Sequence, residues 1–253
     1  MSVVFVGAGP GAADLLTLRA VRLLERADVV LYPGTYLDGE VLSHCRDGCR
    51  LVDTQGLDLD QIAAELVTAS GNGERVVRLT SGDPSLYSAL HEQTARLDAA
   101  GVDWSVVPGV PAYAAAAALV GRELTVPRVA QSVVLTRTQA RSTPMGAGEG
   151  LVAYAASGAT VALHLAITRT RALMAELEPV VGADCPVVVV HRASQPGEQV
   201  LRGRVSDIRT PWSTRAFGRP RWSWWVGRWR SVRTVRASRT WTAPTDPARG
   251  RER

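Results

Sequence analysis

The chain has no lysine, only two phenylalanines and three methionines, and only three cysteines among its 253 residues. Three cysteines, at 45, 49 and 185, are too few to staple a disulfide scaffold. The longest apolar run, Val110–Val120, is far short of the roughly 20 residues a membrane helix needs. No basic segment precedes the apolar start Ser2-Val-Val-Phe-Val6, so neither a secretory leader nor a membrane anchor is expected, and a cytoplasmic location is. What remains, 46% apolar and 21% charged residues, is the balance of a globular protein long enough for two domains.

Acidic residues are also scarce, but in one place only. Residues 1–208 hold 17 arginines against 22 acids, and residues 209–253 hold 12 arginines against two. The net charge of +5 therefore joins a mildly acidic body to a strongly basic tail that also carries six of the seven tryptophans. The tail has no helical or strand periodicity. Written in GC-rich codons and read two bases later, it permits DAVVDAGVRPPAVVLVGRAL, a helix end, a glycine stop and a buried strand. We expect a shifted reading frame near residue 208, a second domain truncated there, and a disordered 209–253; resequencing the gene checks this. The competing reading is a nucleic-acid tail acting through phosphate contacts and base stacking, which we disfavour.

In the body, short apolar runs alternate with helical patterns. Strands are predicted at 2–6, 28–32, 50–53, 75–80 and 103–107, with helical patterns over 15–24, 59–69 and 88–100. A second unit reads as an alanine-rich helix over 112–120, strands at 131–136, 160–165, 186–191 and 199–205, a loop over 138–150 and a helix over 172–177. The four consecutive valines at 187–190 fit a strand buried on both faces. The fold class is α/β: residues 1–110 form one domain and 111–208 another, each a mostly parallel or mixed sheet with flanking helices.

Three glycine- and proline-rich loops follow strands of the first unit: Gly7-Ala-Gly-Pro-Gly-Ala12, Ser81-Gly-Asp-Pro84 and Pro108-Gly-Val-Pro-Ala112. The first also fits a dinucleotide fingerprint, but Pro10 removes an N–H from the loop that would cradle a pyrophosphate. Pro33-Gly34 also stand where a ribose-binding acid belongs. Each loop alone reads as a tight turn. Together, at one edge of one sheet, they would floor a ligand site.

The stretches VGAGPGAADLLTLRAVRLLERADVVLY, VVRLTSGDPSLYSAL and VVPGVPAYAAAAALVGRELTVP resemble, in order and spacing, three motifs of the tetrapyrrole (corrin/porphyrin) methylases. The similarity runs over residues 3–208. LYPGTYLDGEVLSHC, GRELTVPRVAQSVVLTRTQAR and VHRASQPGEQVLRG are most similar to the cobalamin branch. Ser81-Gly-Asp-Pro84 departs from the Gly-Gly-Asp-Pro common in the uroporphyrinogen III methylases. The resemblance implies S-adenosylmethionine as cofactor, an active site between two α/β domains, and a homodimer. By it, Gly9, Pro10, Gly11, Ser81, Gly82, Asp83, Pro111, Ala112, Leu165 and Ala193 are expected at the cofactor. Methyl transfer from a sulfonium needs alignment and exclusion of water more than a strong acid or base. Asp83, Tyr87 and Glu123 are the candidates for any proton transfer.

An acidic tetrapyrrole needs a local cationic surface. Arg122, Arg137 and Arg141, with Arg128, crowd residues 122–141 against one acid, Glu123, and are the expected carboxylate partners. No metal site is expected: His44-Cys45 and Cys49 have no second ligand pair. His91 reads as an ordinary helix-face residue, and His164, inside a strand, as a core or cleft residue.

Overall fold

The computed structural model describes residues 2–34, 37, 39–138, 145–146, 148–165, 169–209 and 222–226. In the first half, β1 (Val3–Gly7), β2 (Val29–Tyr32), β3 (Arg50–Asp53), β4 (Val76–Thr80) and β5 (Trp104–Val107) form one parallel sheet in the order β3-β2-β4-β1-β5. Its central strands are buried on both faces; β1 and β2 are unbroken apolar runs, as such burial requires, and β4 is apolar but for Arg78 and Thr80. Alternate side chains feed two cores. Val6, Val30, Val77 and Leu79 pack with Ala20 and Leu24 of α1 (Leu18–Leu24), near the short α2 (Gly39–Leu42). Phe5, Leu31 and Val76 pack on the other face with Ile62 and Leu66 of α3 (Leu59–Gly71) and Leu97 of α4 (Leu90–Ala99). Each fully buried leucine contributes about 1.5–3 kcal/mol. Asp58 and Gln61 start α3 with a reciprocal capping box. Asp28 takes hydrogen bonds from the Arg75 backbone and guanidinium and from Arg46, which hold its carboxyl well below the ordinary range.

In the second half, α5 (Ala112–Val120) is followed by β6 (Val133–Arg137), α6 (Leu151–Ala156), β7 (Thr160–His164), α7 (Thr170–Val181), β8 (Pro186–His191), β9 (Gln199–Arg204) and β10 (Trp222–Val226). The sheet order is β6-β7-β10-β8-β9. Strands β6, β7 and β8 run one way, and β9 and β10 run against them. Leu163, Val187 and Val189 pack with Leu173, Met174 and Leu177 of α7 on one face. On the other, Ala162, Val190 and Ala193 pack with Ala115 and Ala116 of α5. The small side chains of α5 let that helix lie close against the second sheet.

Three expectations are corrected. The helical pattern over 15–24 breaks, because Thr17 caps α1 from a β conformation and leaves Leu18 75% exposed instead of on an apolar face. The sequence pattern missed α2 and α6, which span only four and six residues. Disorder does not hold for Trp222–Val226: these residues form β10, paired on both sides inside the second sheet. The sheet therefore draws on chain beyond residue 208, and the rest of the tail lies outside the described residues.

Candidate active site between the two sheets

Strands β4, β1 and β5 are neighbours, so the three glycine-rich loops meet at one sheet edge. They touch as backbone. Gly9 and Gly82 form a bridge, with Gly82 N donating to Gly9 O at 2.7 Å and Gly9 N to Gly82 O at 3.2 Å. A Cβ on Gly7 would stand 2.6 Å from Gly109 Cα and 2.7 Å from Gly82 O. Only glycine fits there, and Gly82 holds a left-handed φ of +69°. Asp83 ties the second loop to the third. Its Oδ2 accepts from Gly109 N at 2.8 Å, and its Oδ1 accepts from Ser85 N at 2.8 Å and from the Ser85 hydroxyl. Burial pushes the Asp83 carboxyl up, but these hydrogen bonds outweigh it and hold the group below its ordinary range. Gly109→Ala should cost about 1–3 kcal/mol, since its Cβ would meet Gly7 Cα at 2.8 Å. Thermal unfolding reads that loss, and an unchanged midpoint would contradict the close packing.

The second sheet supplies the facing wall. The parallel β7 and β8 end on the same edge, at Leu165 and at Arg192–Gln195. Both turns are strained: Leu165, Arg192 and Ser194 have φ of 58°, 52° and 64°. The β8 turn reaches the first loop. Ala12 N donates to Ser194 Oγ at 3.2 Å, and Gln195 Nε2 donates to Pro10 O at 2.5 Å. Gly11 has no room for a Cβ because the Gln195 side chain lies against it. Thus Gly9, Pro10, Gly11, Ser81, Gly82, Asp83, Pro111 and Ala112 line one side, and Leu165 and Ala193 belong to turns on the other. Leu165 is 60% exposed, whereas Ala193 is buried.

Between the walls stands His164, the last residue of β7. Its ring centroid lies 5.4 Å from Tyr87 and 6.4 Å, edge-on, from Tyr113. The ring is buried, and Nε2 has no hydrogen-bond partner among the described residues. Burial pushes the imidazole down to about 4, so it is neutral at physiological pH. Tyr87 is half exposed at a left-handed φ of 52°, and burial raises its phenol.

The arginines separate. Arg137 ends β6 in register with His164, so it stands at the cleft edge beside Tyr87. Arg122 and Glu123 follow the far end of α5, roughly 13 Å along the helix from Ala112. Thr160, the first residue of β7, donates its hydroxyl to Leu124 O at 2.9 Å. That contact places Arg122, Glu123 and the nearby Arg128 at the opposite sheet edge, away from the cleft. Sequence proximity misled here because the length of β6 separates Arg122 from Arg137. Arg141 lies outside the described residues. Arg192, exposed at the end of β8, is a cleft-edge cation the sequence reading missed; the signal was its place just after a buried valine run. His91 sits on an exposed position of α4. Cys45 and Cys49 lie partly buried against the first core, where burial pushes both thiols up, Cys45 to about 12. Thiols held protonated are poor metal ligands.

The family model of the tetrapyrrole (corrin/porphyrin) methylases matches residues 2–209. A precorrin-4 C(11)-methyltransferase of Sinorhizobium sp is 50% identical over 208 residues, covering 82% of each chain. Among solved structures, a cobalt precorrin-4 methyltransferase of cobalamin biosynthesis superposes with a TM-score of 0.81 at 35% identity, covering 89% of this chain and 94% of its own. A uroporphyrin-III C-methyl transferase from Thermus thermophilus, in complex with S-adenyl homocysteine, superposes with a TM-score of 0.71 at 28% identity, covering 90% and 92%.

Proposed function

The chain belongs to the tetrapyrrole (corrin/porphyrin) methylases, and we propose that it uses S-adenosylmethionine to methylate C-11 of precorrin-4 in cobalamin biosynthesis. The observation that carries this reading is the 50% identity, over 208 residues, to a protein of that activity. Identity to the cobalt-precursor enzyme is lower, 35%, which favours the metal-free macrocycle.

The residues suit the cofactor. Gly7 and Gly109 approach each other and the Gly82 carbonyl where a side chain on either would collide, leaving a cradle of peptide groups. His164 Nε2, without a hydrogen-bond partner among the described residues, offers a buried site that a bound molecule can satisfy. Pro10, Ser81, Gly82, Asp83, Pro111 and Ala112 would hold the cofactor from the first domain, and Leu165 and Ala193 from the second. When bound, the sulfonium supplies the methyl group and the leaving group. This chain's own work is to bind, orient and exclude water. Ser194 and Gln195 close the second wall onto the first loop and keep the two sides in fixed relation. Arg137 and Arg192 supply charge for the carboxylates of the macrocycle. Tyr87, Tyr113 and the neutral His164 offer it a largely aromatic wall. We further infer a cytoplasmic homodimer, which light scattering on the purified protein would test.

The deciding experiment incubates the full chain with labelled S-adenosylmethionine and, separately, precorrin-4, cobalt-precorrin-4 and uroporphyrinogen III. One methyl group on precorrin-4, placed at C-11 by NMR, is expected. Preference for uroporphyrinogen III would point to the other branch of the family.

His164 gives a separate prediction. A folded-state value near 4 lies below the ordinary 6.5, so between these the unfolded chain binds more protons. Stability is full above pH 6.5 and declines as pH falls toward 4, by on the order of 2 kcal/mol at pH 4.5. His164→Phe should flatten that part of the unfolding profile, and an unchanged slope would show that the ring is not held neutral.

A further inference from the structure

Arg78 lies in the middle of β4, only 6% exposed, and no carboxylate pairs with it among the described residues. A buried cation is ordinarily matched by an acid. Here its partners are neutral. Nη1 donates to Thr54 Oγ1 at 3.1 Å, and Nε donates to Gln93 Oε1 at 3.0 Å. Thr54 passes the chain on, donating its hydroxyl to Tyr32 O at 3.0 Å.

Gln93, on α4 and 1% exposed, is the informative member. While its carbonyl accepts from Arg78, its amide donates to Ser88 O at 3.1 Å and to Ala89 O at 3.0 Å. A glutamate would neutralise Arg78 but could not donate. A carboxamide accepts from Arg78 through its oxygen and has two N–H donors for the carbonyls, a combination that only glutamine and asparagine side chains offer. The two carbonyls it holds end the loop that starts at Ser81. Tyr87 and Ala89 in that stretch keep left-handed φ angles of 52° and 53°, which non-glycine residues hold only when the surroundings impose them. Other ties of the loop, the Gly9–Gly82 bridge, Asp83 to Ser85 and Gly109, and Ser88 to Pro84, lie on the cleft side or within the loop. Gln93 anchors it from beneath the sheet.

We propose that Gln93, held by Arg78, is a positioning residue that clamps the Ser81–Ala89 loop and sets the geometry of the cofactor floor and of Tyr87. The loop's link to the cofactor rests on the reading in Proposed function; the clamp does not. Gln93→Glu separates clamp from core. It gives Arg78 a carboxylate while removing both donors and setting negative charge against the two carbonyls. The unfolding midpoint should stay within about 3 °C of wild type. Amide hydrogen exchange across residues 81–90 should quicken at least tenfold, with β4 and the rest of α4 unchanged. S-adenosylmethionine should bind at least fivefold more weakly by calorimetry. If Gln93→Glu does not fold, the double variant Arg78→Met, Gln93→Met removes the cation and its acceptor together, and the same exchange increase is expected. Unchanged exchange over 81–90 in whichever variant folds overturns the clamp. Faster exchange in a protein whose wild type binds no S-adenosylmethionine leaves the clamp standing and removes the cofactor reading instead.

Discussion

A chain cut after Arg209 should fail to form its second domain. The sheet order β6-β7-β10-β8-β9 puts β10 in the centre, with ladders to β7 on one side and β8 on the other. Cutting it away removes a wall between two strands that are themselves buried, exposing facing rows of N–H and C=O groups with no partners. The expected product is aggregated, or soluble with a protease-sensitive second half, while residues 2–107 keep their own sheet and core. Soluble yield, limited proteolysis and cooperativity of unfolding read the outcome. A cut chain that unfolds in one step at the full-length midpoint would show that β10 does not hold the sheet.

The composition of β10 sharpens the point. Position 225 stands in register with Ala162 and Val188, on the face where Ala115 and Ala116 of α5 close on the sheet. Position 224 stands in register with Leu163 and Val189 on the other face. The neighbouring strands are aliphatic at these positions, and the chain supplies Trp-Ser-Trp-Trp-Val. The shifted-frame reading writes Val-Val-Leu-Val-Gly over the same stretch, the residue types the register favours.

The body's strands were readable because a sheet buried on both faces writes itself as unbroken apolar runs between turn residues. Val3–Gly7, Val29–Tyr32 and Pro186–His191 are of that kind. The three loops were readable for a related reason, since glycine and proline mark places where backbones approach. What the sequence hid was long-range. Nothing near His164 announces that Tyr87 and Tyr113, 77 and 51 positions earlier, will flank it. Arg122 and Arg137 look like one cluster, yet a strand carries them to opposite edges. β10 was missed because its residue types contradict its place, and only pairing with β7 and β8 reveals it.

Asp83→Ala should be the most damaging single change in the cleft. The carboxylate joins two of the three loops, with one oxygen on Gly109 N and the other on Ser85. Hydrogen bonds to a charged group contribute about 1.5–3 kcal/mol each, and their loss would also leave the Gly109 N–H without its acceptor. The second and third loops would then be free to part, and with them the floor against which the cofactor is aligned. Cofactor affinity should fall at least tenfold and turnover further, because alignment counts more in the transition state than in binding. Asp83→Asn distinguishes this staple from a proton-transfer role. An amide keeps one acceptor oxygen where two faces need one, so it should recover part of the affinity and part of the rate together. A proton acceptor at Asp83 would instead leave the asparagine variant with near-normal affinity and almost no turnover. Because its hydrogen bonds hold Asp83 ionised below its ordinary range, the wild-type staple should persist as pH falls to about 4. Cofactor binding that already fails near pH 5, with the fold intact, would place the controlling group elsewhere.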